Sequence, residues 1–294
     1  MSSFLKPGDG IGLIAPAGYI DQEEIQPAVE ILRAEGFRVK LSPHLFGRHR
    51  YFSGTISERI KDIRRFLNDS RVKALYAVRG GSGSGQLLPY IEYKKWKKSG
   101  KMLIGFSDIT ALQWALWYKS DIFSFSGMTL TFQLRESNPF LSLFLKHLQN
   151  QRKSITHYDL RKENIIIARG GEARGYLVGG TLSIITSLLG TPYFPRLNRD
   201  IILFIEEVNE PLYRIERSIV QMKLAGIFQR VKGIIFGRFK LEDHFVDIWS
   251  GIRFHFPENI PIILNFPYGH FPEACALPVG LVAELQTEPF KLSW

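Results

Sequence analysis

Short apolar runs alternate with longer amphipathic stretches along most of this chain. Ile11-Gly-Leu-Ile-Ala-Pro16 predicts a buried strand that opens into a loop at Ala17-Gly18. Residues 23–35 follow with apolar side chains at helical spacing (Ile25, Val29, Ile31, Leu32) and stop at Gly36, a suitable helix-ending glycine. Phe37-Arg-Val-Lys-Leu41 alternates as a strand does, residues 57–68 return to helical spacing, and Lys73-Ala-Leu-Tyr-Ala-Val78 is a third strand. The same rhythm continues with a strand in Lys101-Met-Leu-Ile-Gly105, a helix over 109–118 and a strand in Ile122-Phe-Ser-Phe125. Beyond a polar, irregular stretch come a helix-like run over 182–189, a strand at 201–205 and a helix over 213–226. Strands at 231–236 and 261–264 complete the pattern. Strands separated by helices of this length predict βαβ units, an α/β fold and a mostly parallel sheet.

The polar stretch, with Asn138-Pro139 and Gln149-Asn150-Gln151, marks a junction. It divides the chain into an N-terminal domain over 1–135, a linker over 136–165 and a C-terminal domain over 166–294. A chain of 294 residues has the length for two cores, and 45% hydrophobic with 22% charged residues is ordinary for a globular protein. The longest apolar runs are strand-sized, so no membrane span is expected. Residues 1–9 lack the apolar stretch of a secretory signal, which fits a cytoplasmic protein. The single cysteine, Cys275, leaves no disulfide within the chain and no multi-cysteine metal site. A net charge of +10 raises nucleic acid as a partner, but the basic residues are dispersed. The densest cluster, Lys94-Lys95-Trp96-Lys97-Lys98, reads as a solvated helix end, so no nucleic-acid partner is expected.

Three places carry candidate chemistry. At Gly105-Phe-Ser-Asp108 a strand turns sharply into a helix, the geometry that holds out a nucleophilic serine. Ser107 or Asp108 could equally cap that helix, and both readings stay open. The third strand runs into Arg79-Gly-Gly-Ser-Gly-Ser-Gly85, which has neither Walker nor dinucleotide spacing. Such a loop can instead present backbone N–H groups to an oxyanion. The strand at 201–205 delivers Glu206-Glu207, which could orient a histidine or pair with Arg214 or Arg217. Of the seven histidines, His44, His49, His147, His157, His244 and His255 have no distinguishing context. His270 follows a buried strand and a Pro-Tyr-Gly turn.

Taken together, the blocks 6–17, 52–59, 77–81, 104–112, 175–180, 203–210 with 213–217, Gln221 and Ala225-Gly226, and 268–270 with 277–280 resemble, in order, the LD-carboxypeptidase family of serine peptidases. That family comprises the murein tetrapeptide carboxypeptidases and their microcin-immunity relatives. The resemblance implies a Rossmann-like N-terminal domain related to class I glutamine amidotransferases and a smaller β-rich swivelling C-terminal domain. It implies a triad of Ser107 as nucleophile, His270 as general base and then acid, and Glu206, the first acid after the strand, as the orienting carboxylate. Backbone N–H groups of Gly81 and Asp108 would form the oxyanion hole, and Arg79, Gly80 and Ser82 would contact substrate. No cofactor or metal is implied. The expected substrate is a muropeptide or short peptide with a free terminal carboxylate, cleaved before its final D-alanine by a cytoplasmic homodimer. The alternatives are an immunity-type peptidase acting on a nucleotide-linked aspartyl amide and a catalytically silent binding protein. Four positions depart from the family pattern: Ser82 replaces an aromatic residue, Gln86 an arginine and Thr181 an asparagine, and a Gly-Pro-Met turn is reduced to Gly127-Met128.

Overall fold

A computed structural model describes residues 4–195, 198–239 and 245–294. The chain forms two compact units: Met1–Arg152 with Phe271–Pro278, and Lys153–His270 with Val279–Trp294.

The first unit alternates as its apolar pattern requires. β1 (Gly10–Ile14) leads to α1 (Gln22–Ala34), β2 (Arg38–Leu41), α2 (Ile56–Asn68) and β3 (Val72–Ala77). α3 (Tyr93–Ser99), β4 (Met102–Gly105), α4 (Thr110–Ser120), β5 (Ser124–Ser126) and α5 (Leu141–Leu148) follow. Pairing is parallel throughout β2-β1-β3-β4-β5. β1 and β4 are buried along their whole length, which is why they read as continuous apolar runs rather than alternating ones. α2 starts on a complete capping box between Thr55 and Glu58. Its other end is closed by Lys101, whose buried ammonium donates to the carbonyls of Phe66, Leu67 and Asp69. The basic cluster lies on α3, where Trp96 turns inward and Lys94, Lys97 and Lys98 stay exposed.

The second unit opens with β6 (Ser154–Thr156) and β7 (Ile166–Arg169), then β8 (Glu172–Thr181), α6 (Leu182–Ser187), β9 (Ile201–Glu206) and α7 (Leu212–Leu224). β10 (Val231–Gly237), α8 (Phe245–Ile252) and β11 (Ile262–Phe266) come next. The chain then contributes 271–278 to the first unit, where β12 (Leu277–Val279) extends the sheet beyond β5. It returns with β13 (Leu281–Thr287) and β14 (Phe290–Ser293). The second sheet runs β6-β14-β13-β8-β9-β10-β11-β7. Its centre, β8-β9-β10-β11, is parallel, and antiparallel strands flank it on both sides.

The units divide at Arg152/Lys153, inside the stretch expected as a linker, because 136–165 folds into α5 and β6. Residues 271–278, expected in the C-terminal domain, pack in the first unit. Among the described residues, no helix is long and apolar enough to cross a membrane.

Candidate active site

Within the first unit, β1, β3 and β4 all deliver loops at their carboxyl ends, where open parallel sheets bind ligands. β4 ends at Gly105, and Ser107 follows in the left-handed region, at φ 63°. An L-residue avoids that region because its Cβ crowds the carbonyl, at a cost of roughly 1–2 kcal/mol. Such strain persists at functional turns, where the surroundings over-determine the backbone. A 3₁₀ turn over Ser107–Ile109 then enters α4, whose N-cap position is Ile109 with no side-chain cap bond. The Asp108 carboxylate accepts from the Ser84 N–H, at 2.7 Å.

The glycine loop lies directly on this elbow. A Cβ on Gly80 would stand 2.7 Å from the Ser107 Cβ and 3.0 Å from its Oγ, so only glycine permits the approach. The Gly80 carbonyl accepts from Gly18 N–H at 3.0 Å, which ties the loops after β1 and β3 together. Arg79 Nη1 donates to the Tyr19 carbonyl at 3.0 Å. Gly81, at φ 103°, and Ser82 are both exposed. Ser84 is fully buried, and its hydroxyl donates to the Asp108 carbonyl at 2.5 Å. Arg59 stacks on Phe52 and donates to the Pro16 and Gly83 carbonyls and to Gln86 Oε1. At Gln86, a departure from the family pattern, the side chain thus serves as an acceptor for this arginine. Burial pushes the Asp108 carboxyl up, against the opposing N–H groups of Ser84 and Gly83 and the Arg59 charge. Burial likewise pulls the Arg59 guanidinium down.

The second unit holds Glu206 and His270. β9 is buried end to end, and Glu206, at its last position, is fully buried. Its Oε2 lies 2.7 Å from His270 Nδ1, and its Oε1 accepts from the Thr181 hydroxyl at 2.6 Å. The turn carrying His270 crosses the end of β10, where a Cβ on Gly237 would meet the Tyr268 carbonyl at 2.2 Å and Glu206 Cβ at 3.1 Å. Tyr268 is fully buried and packs edge-on against Phe204 of β9, with centroids 5.0 Å apart. Arg238 N–H donates to the Tyr268 carbonyl at 2.8 Å. The Glu206 carboxylate is thereby aimed at one imidazole nitrogen, the arrangement that selects a tautomer and supports an imidazolium.

Glu207 does something different. Its oxygens accept from the Ser183 N–H at 2.7 Å and the Val208 N–H at 3.0 Å, and burial pushes its carboxyl up. The alternative in which the two acids pair with Arg214 or Arg217 is not adopted: Arg214 pairs with Glu210, and Arg217 stacks on Tyr213. Elsewhere His44 meets Asp62, His255 approaches Glu216 and His147 is buried. His244 lies outside the described residues. Among the described residues there is no group of three or more metal-ligating side chains.

Sequence reasoning did not find Arg59, Ser84, Gly237 or the contact made by Thr181. Only the glycine at the end of an apolar strand offered a signal in advance.

Two family models match: the LD-carboxypeptidase N-terminal domain over residues 11–127 and the LD-carboxypeptidase C-terminal domain over 174–285. The chain belongs to the LD-carboxypeptidase family. It is a serine-type carboxypeptidase, a hydrolase of peptide bonds. The carboxypeptidase is 30% identical to a Bacillus subtilis protein named "Probable murein peptide carboxypeptidase", over 96% of this chain and 90% of the relative. It is 28% identical to the murein tetrapeptide carboxypeptidase of Pseudomonas aeruginosa, over 98% of this chain and 96% of that one. Among solved structures, the MccF-like protein from Bacillus anthracis superimposes with a TM-score of 0.88 at 28% identity, covering 99% of this chain and 98% of that one.

Proposed function

We propose that this carboxypeptidase releases the terminal D-alanine from murein tetrapeptides, with Ser107, His270 and Glu206 as its triad. The observation that carries the proposal is the Glu206–His270 bond at 2.7 Å, a fully buried carboxylate held on one imidazole nitrogen. The strained elbow at Ser107 supports it from the first unit.

In this reading His270 takes the Ser107 proton as the hydroxyl attacks the L,D amide carbonyl. Glu206 keeps the imidazole in the required tautomer and stabilises the imidazolium that forms. The carbonyl oxygen becomes an oxyanion, received by the N–H groups of Gly81 and Asp108, each worth on the order of 10²–10³ in rate. His270 then protonates the departing D-alanine nitrogen, and water releases the shortened peptide from Ser107 by the reverse sequence. Arg79, Gly80 and Ser82 would contact the substrate beside the nucleophile. The proposal includes cytoplasmic action in peptidoglycan recycling and a homodimeric state, as the resemblance implies.

The test is D-alanine release from a free or disaccharide-linked tetrapeptide by the wild type and the Ser107→Ala variant. Wild-type release, with a loss of roughly 10⁴-fold or more in the variant, is expected. Release undiminished by the substitution would refute Ser107 as nucleophile. No release by the folded wild type, with hydrolysis of an aspartyl-nucleotide amide instead, would move the enzyme to the immunity-type reaction.

A further inference from the structure

Thr181 stands where threonine usually caps a helix, directly before α6. There a hydroxyl ordinarily accepts an N–H from the first turn. Here it makes no such bond. The first-turn N–H of Ser183 goes instead to the Glu207 carboxylate, delivered from the neighbouring strand. With that place filled, the Thr181 hydroxyl donates to Glu206 Oε1 at 2.6 Å.

Register makes this pairing possible. β8 and β9 run parallel, with Thr181 opposite Glu206 as the last pair of the ladder. Threonine is stiff about χ1, so a correct register also fixes where its hydroxyl points. Both residues are buried, Thr181 at 4% exposure and Glu206 at 0%. A carboxylate in that setting needs a partner for each oxygen. Thr181 serves Oε1, which leaves Oε2 facing His270 Nδ1.

We propose that Thr181 is a positioning residue for the Glu206–His270 pair, its hydroxyl locking the carboxylate plane while Glu207 takes over the helix cap. The proposal rests on the triad reading above. Thr181 touches no reacting atom. It acts by stopping Glu206 from rotating, and so keeps the imidazole aimed through the reaction. A departure from the family pattern thereby acquires a task in the catalytic half of the site.

The experiment compares Thr181→Val, which keeps the branched shape and loses the hydroxyl, with Thr181→Ser, which keeps the hydroxyl. Three quantities are measured on the whole protein: kcat and KM for D-alanine release, the rate of Ser107 acylation by a fluorophosphonate probe, and the melting temperature. Loss of a hydrogen bond to a charged group that orients a catalytic side chain should lower activity about 10–100-fold. The valine variant should show that fall in kcat and in acylation rate, with KM within about twofold of wild type. The serine variant should recover most of it. Unchanged kcat and acylation in the valine variant would overturn the proposal. So would equal losses in both variants that track a lowered melting temperature, since those report packing alone. Wild-type protein that releases no D-alanine but is acylated, more slowly in the valine variant, would refute the substrate and uphold the positioning role. A folded wild type whose Ser107 resists the probe would overturn the triad reading and this proposal with it.

Discussion

Adjacent glutamates at the end of β9 have opposite tasks, and their partners decide which is which. Glu206 faces a hydroxyl and an imidazole, while Glu207 faces two backbone N–H groups. Burial is the largest influence on Glu207 and raises its carboxyl above the usual 4.5. The folded protein therefore binds more protons than the unfolded chain from that value upward. Glu207's contribution to stability is full below 4.5 and is lost as pH rises through the native value. Glu207→Gln removes this titration. Denaturant melts across that range should show the variant's stability rising relative to wild type with increasing pH. A constant difference between the two would refute the assignment. From the residues alone, either glutamate could face the histidine. Their adjacency was visible in the sequence, but the orientation of each depends on groups 25 and 24 residues earlier, the Thr181 hydroxyl and the Ser183 N–H.

At the scale of elements, what was legible followed burial. Strands covered on both faces read as apolar runs, and helices with one buried face read as periodic; β1, β3, β4, β9, β10 and β11, with α1, α2, α4 and α7, emerged on those grounds. β13 did not, although its burial alternates, because Glu284 and Gln286 interrupt a segment with no apolar run. β12, at three residues, is too short to carry a period. Helix ends were also hidden where the cap comes from elsewhere in the chain. The C-terminus of α2 is closed by Lys101, more than thirty residues on and directly before β4. Lys101→Met would leave these carbonyls without their shared charged donor. Such bonds contribute roughly 1.5–3 kcal/mol, so about 2 kcal/mol of unfolding free energy should be lost, as measured by urea denaturation. Wild-type stability in the variant would show the carbonyls satisfied by other groups. Burial also pulls the Lys101 ammonium down, to about 8.

For the molecule as a whole, the decisive fact is that the first unit is discontinuous. Its sheet includes β12, and two buried amides reach the segment before it. Gln133 Nε2 donates to the Phe271 carbonyl at 3.2 Å, and Asn138 Nδ2 to the Pro272 and Ala274 carbonyls at 3.0 and 2.9 Å. A fragment ending at Arg152 loses these acceptors and uncovers the edge of β5, and buried donors without partners are costly. We expect residues 1–152 alone to give no cooperative melt by circular dichroism, and the same fragment joined through a flexible linker to 271–278 to regain one. A sharp transition in the short fragment would contradict this. The same crossing has a consequence for how the protein is made. Chains usually fold domain by domain as they leave the ribosome, the N-terminal one first. Here the missing strand is made only after residues 153–270 of the second unit, so the earlier-made unit must wait, its sheet edge open, until those have been synthesised.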